Sequence, residues 1–137
     1  MELADTSAWS AKRLDVAVAD HFDNSVRSGY IATCDVVRFE LLVSTRDQHE
    51  FAVRRDALRA LSEARITASV WRRALDVLEL FAQRGPLHHR GLPLPDLLVA
   101  AAAESAELPV LHYDRHFELI GEVTGQEMRA IAPLGSL

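Results

Sequence analysis

Short strand-like runs alternate with longer stretches of helical periodicity along this chain, and that alternation narrows the folds open to it more than any other feature. Glu2-Leu3-Ala4-Asp5 reads as a strand ending at the acid. A helix is expected from about Ser7 to Ser28, with Leu14, Val18, Phe22 and Val26 at helical spacing and Gly29 just past its end. Tyr30 to Cys34 reads as a second strand, after which Asp35 is placed to cap a helix through about Thr45. A helix over 50–62 carries Phe51, Leu58 and Leu61, and Arg65 to Ala68 is a candidate short strand. Ser69 is then expected to cap a helix to about Arg84 that turns Trp71, Leu75, Leu78 and Phe81 inward. Gly85 to Pro95 is dense in glycine and proline and reads as a loop. Asp96 opens an alanine-rich helix to about Glu107. A strand over Pro109 to Tyr113 follows, then Asp114 and a short helix to Ile120, and a last strand over Arg129 to Ala132. Strands joined through helices form a mostly parallel sheet covered on both faces, with right-handed crossovers. The expected class is therefore α/β, a three-layer α/β/α sandwich.

The 137 residues suit one domain spanning 1–137, long enough to bury a core without staples. Cys34 is the single cysteine, so no intramolecular disulfide can form, and a reducing cytoplasm is the expected setting. Neither a secretory leader nor an apolar run long enough to span a membrane is read in the sequence. The net charge of -5 argues against a protein that merely coats nucleic acid, because phosphate neutralisation favours basic binders. It leaves room for a nuclease, since a metal ion compensates the acids that hold it.

In open parallel sheets, ligands bind beyond the carboxyl ends of the strands. Asp5 and Asp114 stand at two such ends. Glu40 lies within Phe39-Glu40-Leu41-Leu42-Val43, where no cation one turn away offsets its charge, so burial there is costly unless a counter-charge arrives. The bland alternative is a rim position that reaches solvent. Asp96 precedes Leu97-Leu98-Val99 and four alanines, whose small side chains let the helix lie close to the sheet. Asp5, Asp96 and Asp114 each also make sense as helix caps or first-turn acids. Together the four acids fall near one sheet edge, and hard divalent cations take oxygen ligands of this kind. Thr6 and Ser7 add hydroxyls beside Asp5.

The segments Leu3-Ala4-Asp5-Thr6-Ser7-Ala8-Trp9, Phe39-Glu40-Leu41-Leu42, Pro95-Asp96-Leu97-Leu98-Val99-Ala100-Ala101-Ala102 and Val110-Leu111-His112-Tyr113-Asp114-Arg115-His116-Phe117, in this order, resemble the PIN-domain family of metal-dependent ribonucleases. More narrowly they resemble the VapC-type toxins of bacterial toxin–antitoxin modules. The resemblance covers essentially the whole chain. It implies a PIN-like sandwich and an endoribonuclease that uses Mg2+ or Mn2+ to cleave single-stranded or looped RNA, leaving a 3′-hydroxyl and a 5′-phosphate. It implies Asp5, Glu40, Asp96 and Asp114 as catalytic metal ligands, direct or through water, with Thr6 or Ser7 in support. It also implies a homodimer and silencing by a cognate antitoxin. The family often carries a further acid two or three residues after the last aspartate, where this chain has His116 and Phe117. One firmly held ion is therefore expected rather than two.

Cations for RNA lie in or near the loop before Asp96, with Arg84, Arg90 and His116 as candidate substrate contacts beside Arg72, Arg73, His88 and His89. The alternative is a solvated helix face. Trp9 and Tyr113 suit core packing better than base stacking. His112 and His116 are four apart across a strand end, without a His-Glu-x-x-His pattern, so zinc is not expected. Cys34 reads as a small core residue. Two other function classes fit the acids: a PIN-fold binding protein without activity, and a phosphohydrolase acting on DNA or nucleotides.

Overall fold

The computed structural model describes residues 1–137. Five strands form one sheet: β1 (Glu2–Ala4), β2 (Ile31–Thr33), β3 (Ser62–Glu63), β4 (Val110–His112) and β5 (Met128–Ala130). Their spatial order is β3-β2-β1-β4-β5, and every pairing is parallel. Seven helices surround it: α1 (Thr6–Ala11), α2 (Val16–Arg27), α3 (Asp35–Val43), α4 (Gln48–Arg59), α5 (Ala68–Arg84), α6 (Leu94–Ser105) and α7 (Arg115–Thr124). Short 3-10 turns occupy Lys12–Leu14 and His88–Gly91.

Successive strand residues face opposite sides of the sheet, which splits the core in two. Leu3 and Val110 join a large cluster with Val37, Val70, Val99, Phe117 and Ile120. Their neighbours Ala4 and Leu111 join Ala8, Phe22 and Ile31 on the opposite face. The result is a helix–sheet–helix sandwich, as the alternation of elements predicts. On α6, Ala100 to Ala103 are all buried, so this helix does lie close to the sheet.

Several sequence expectations need correction. The long helix over 7–28 is two helices. Asp15 adopts an extended backbone and its side chain accepts from Val18 N–H, so the chain stops and restarts there. Leu14, expected on the apolar stripe, is exposed. Asp35 lies in the first turn of α3 rather than capping it, and Cys34 is the cap residue. The third strand is at Ser62–Glu63, not 65–68, where its pairing with Ala32 and Thr33 defines it. The cap of α5 is Thr67, whose hydroxyl accepts from Val70 N–H. That helix buries Val70, Ala74, Val77 and Phe81, while Trp71 and Leu75 stay exposed. Gly29 is where expected, at φ +77 just beyond α2, a left-handed position that suits a residue without Cβ.

Candidate metal centre

The strand order reverses direction between β1 and β4: the chain builds outward to β3 on one side, then returns to β4 and β5 on the other. A crevice opens beyond the strand ends at such a point. Asp5 follows β1 and Asp114 follows β4, so the two acids flank it. The backbones there are tied together, with Asp5 N–H donating to Leu111 carbonyl at 2.9 Å and Tyr113 N–H to Ser7 Oγ at 2.9 Å.

Both acids do act as caps. Asp5 Oδ2 accepts from Ser7 N–H at 2.9 Å, and Asp114 Oδ1 accepts from His116 N–H at 2.9 Å. A carboxylate offers about four lone-pair sites, so capping leaves capacity for an ion. The cap and ligand readings are therefore compatible. Asp96 enters from the first turn of α6, and Glu40 from α3, where Thr6 Oγ1 donates to Glu40 Oε1 at 3.0 Å. Thr6 thus holds one of the acids, and Ser7 joins the two strand ends. Arg38 is turned away, bonded to Asp35 and Glu63.

No arginine or lysine pairs with any of the four acids, and the one basic side chain beside them is His116. Its Nδ1 lies 3.2 Å from Asp96 Oδ2 and 3.1 Å from Asp114 Oδ1. The electrostatics show the crowding. Asp5 is only 4% exposed, and burial raises its pKa despite the bonds from Ser7 and Thr6. Burial raises Glu40 as well, against the opposing bond from Thr6. Asp96 is pushed from 3.8 to about 7, first by burial and then by the charges of Asp5 and Asp114. Its Oδ2 is buried without an aligned hydrogen-bond donor. Anionic oxygens gathered with too little positive charge fit a divalent cation, which supplies what the protein leaves out.

The cationic candidates behave less uniformly. Arg73 is committed to Glu104 at 2.7 Å, joining α5 to α6. Arg84 and Arg90 are exposed and touch none of the four acids; the structure sets Arg90 in the turn at His88–Gly91 just ahead of α6. The two histidines part company. His112 is fully buried, and its Nδ1 accepts from Asp114 N–H at 3.1 Å, which puts the ring proton on Nε2 near Glu118. Burial holds its pKa low, in spite of Glu118. His116, a candidate substrate contact, stands among the acids. The signal for this was local: the residue two places after a capping aspartate must lie beside its carboxylate. Trp9 packs edge-on against Phe22 with ring centres 4.8 Å apart, so it belongs to the core. Burial pushes the Cys34 thiol up to about 11, leaving it unreactive. Beside Glu40 opens an apolar groove of about 550 Å³, walled by Phe39, Ile66, Trp71, Leu94 and Leu98.

Residues 3–123 match the family model for the PIN domain. The chain belongs to the PIN-domain family. This PIN domain is 40% identical over 136 residues to Ribonuclease VapC51 of Mycobacterium tuberculosis (strain ATCC 25618 / H37Rv), covering 98% of this chain and 96% of that protein. In fold it resembles the DNA-bound VapBC of Salmonella typhimurium, with a TM-score of 0.72 at 16% identity, covering 96% of this chain and all of that one. It likewise resembles VapBC-5 of Mycobacterium tuberculosis, a member of the VapBC family of toxin–antitoxin systems, with a TM-score of 0.60 at 19% identity, covering 94% and 97% of the two chains.

Proposed function

We propose that this PIN domain is a divalent-metal-dependent endoribonuclease that acts as the toxin of a toxin–antitoxin pair. The observation that carries the reading is the meeting of Asp5, Asp96, Asp114 and Glu40 at the sheet's reversal point, with Asp96 Oδ2 buried and unpartnered. Asp5, Asp96 and Asp114 are the residues to hold Mg2+ or Mn2+, directly or through water, with Glu40 beside them. When bound, the ion supplies a Lewis acid that makes water a better nucleophile and offsets charge on the phosphoryl oxygens.

The remaining work falls to the chain. Thr6 holds one oxygen of Glu40, leaving the other to orient or deprotonate the attacking water. That water bonds to phosphorus, the bond from phosphorus to the 3′-oxygen breaks, and the 3′-oxygen takes up a proton from solvent, giving a 3′-hydroxyl and a 5′-phosphate. Ser7 keeps the two strand ends at fixed separation, so the carboxylates need not reorganise during the reaction. The exposed Arg84 and Arg90 are free to meet RNA phosphates.

The relatives extend the reading. The 40%-identical protein is named a ribonuclease, and VapBC-5 is a toxin–antitoxin system. A cognate antitoxin, a homodimer and a cytoplasmic setting are therefore part of the proposal. No helix is long and apolar enough to cross a membrane. The test is cleavage of an RNA panel by wild type and Asp5→Asn with Mg2+, Mn2+ or EDTA. The expected result is cleavage by wild type with an ion and none with EDTA or in the variant. Cleavage in EDTA, or full activity of Asp5→Asn, would overturn the proposal.

A further inference from the structure

We propose that His116 contributes Nδ1 as a nitrogen ligand to the ion held by the acids, and thereby biases the site toward Mn2+ and other transition-metal dications over Mg2+. This rests on the reading of the acids as a metal centre and adds to it a ligand of a different chemical kind. The geometry is specific. One donor atom each from Asp96, Asp114 and His116 lies within 4.8 Å of the other two. Nδ1 is 3.2 Å from Asp96 Oδ2 and 3.1 Å from Asp114 Oδ1. Nδ1 and Asp96 Oδ2 are nonetheless both buried without an aligned hydrogen bond. An imidazolium serving as a plain counter-ion would aim its N–H at one of the carboxylates, since a charge-assisted bond is the strongest contact open to it. Here the ring turns the nitrogen toward the acids without aiming at either.

The backbone supports the placement. His116 is the second residue of α7, and its N–H is bound by the Asp114 cap. That bond fixes the backbone from which the ring projects, beside the Asp114 carboxylate. The His116 side chain is about one-third exposed, while its Nδ1 is buried. His112 differs in that its Nδ1 already accepts from Asp114 N–H, and its Nε2 faces the single carboxylate of Glu118 rather than two acids.

The consequence is a mixed oxygen–nitrogen donor set. Mg2+ prefers oxygen and gives up water reluctantly, whereas imidazole suits the first-row transition metals. A neutral nitrogen in place of a further carboxylate also keeps the site's negative charge lower, which removes part of the attraction on which Mg2+ depends.

The experiment is Mn2+ and Mg2+ binding by calorimetry, with pulsed electron paramagnetic resonance of Mn2+ bound to wild type, His116→Ala and His116→Asp, each grown with and without 15N-histidine. The expected result is a histidine nitrogen coupling in wild type that both variants lose. For His116→Ala, Mn2+ affinity should fall about 10- to 100-fold, as when a ligand's environment is broken. Mg2+ affinity should change at most about threefold, because oxygen ligands dominate its binding. His116→Asp, which restores an acid, should narrow the gap between the two ions and serves as the check if the alanine variant folds poorly. Bound Mn2+ without nitrogen coupling, or equal losses for both ions, would overturn this inference and leave the acidic metal centre standing. Absence of binding by either ion to wild type would overturn both.

Discussion

Replacing Asp96 by asparagine should stabilise the metal-free protein at alkaline pH while abolishing its response to metal. In the folded chain the Asp96 carboxyl titrates at about 7, against 3.8 for an unhindered aspartate. Between those two values the folded state holds a proton that the unfolded state has released. Stability must then fall as pH rises through that window and level off above it. Each pH unit of the gap is worth 1.36 kcal/mol, so the ceiling on the loss is roughly 4 kcal/mol. The neighbouring acids relax when one charge is removed, so a single substitution should recover about half of that, roughly 2 kcal/mol. For a chain of this size that is a rise of about 6 °C in melting temperature. The assay is thermal unfolding of both proteins in EDTA at pH 4.5 and 8.5, repeated at pH 8.5 with saturating Mn2+. The variant should match wild type at the lower pH and exceed it at the higher. With Mn2+ the order should reverse, because an ion that binds only the folded wild type stabilises it. Asparagine proving destabilising at pH 8.5 in EDTA, or a difference that does not change with pH, would refute the reasoning.

Three further outcomes follow from the same structure. Ion binding at pH 6 should release up to about one proton, declining toward none at pH 9 as Asp96 is already ionised, which calorimetry in two buffers of different ionisation enthalpy will measure. Thr6→Val removes the hydroxyl that holds Glu40 Oε1, and should lower RNA cleavage about 10-fold with little change in melting temperature. Gly121→Ala puts a Cβ 2.9 Å from Met128 Cγ and 3.1 Å from Gln126 carbonyl, where α7 meets β5, and should cost about 1–3 kcal/mol in denaturant unfolding.

Much of this arrangement is legible in the residues themselves. Asp5 and Asp114 stand out because each follows a short apolar run and precedes a helix, and a parallel sheet sends such positions to one edge. Asp96 and Glu40 are harder, because nothing in a helix's periodicity says which end of the sheet it reaches. The family resemblance supplied what spacing did not. The misplacements have physical causes. Ser62–Glu63 is exposed and carries no strand-like composition, so its character comes wholly from pairing with β2. Helix α5 bears two apolar stripes, one through Val70, Ala74, Val77 and Phe81 and another through Trp71, Leu75 and Leu78. Periodicity cannot say which of two stripes meets the sheet; Trp71 and Leu75 of the bulkier one stay exposed, while Leu78 packs against the core's edge. The break at Asp15 did have a local sign: a capping residue three places before the amide it binds. The overlapping apolar pattern of 14–26 masked it.

Two of the four acids, Asp5 and Asp114, are helix caps as well as members of the acidic cluster. One oxygen of Asp5 and one of Asp114 hold helix starts in place, and that fixes the carboxylates before any ion arrives. In the proposed metal centre, carboxylates held in this way would avoid the cost of ordering side chains on binding. Their crowding appears as raised carboxyl pKa values, which link the proton to the folding equilibrium and, in the proposed function, to the ion.

The most direct test of this account is anomalous diffraction from crystals of the protein grown with Mn2+, recorded on both sides of the manganese absorption edge. The account predicts a peak among the carboxylates of Asp5, Asp96 and Asp114 that vanishes in Asp96→Asn crystals. A peak elsewhere on the molecule, or none among these acids at saturating Mn2+, would contradict it.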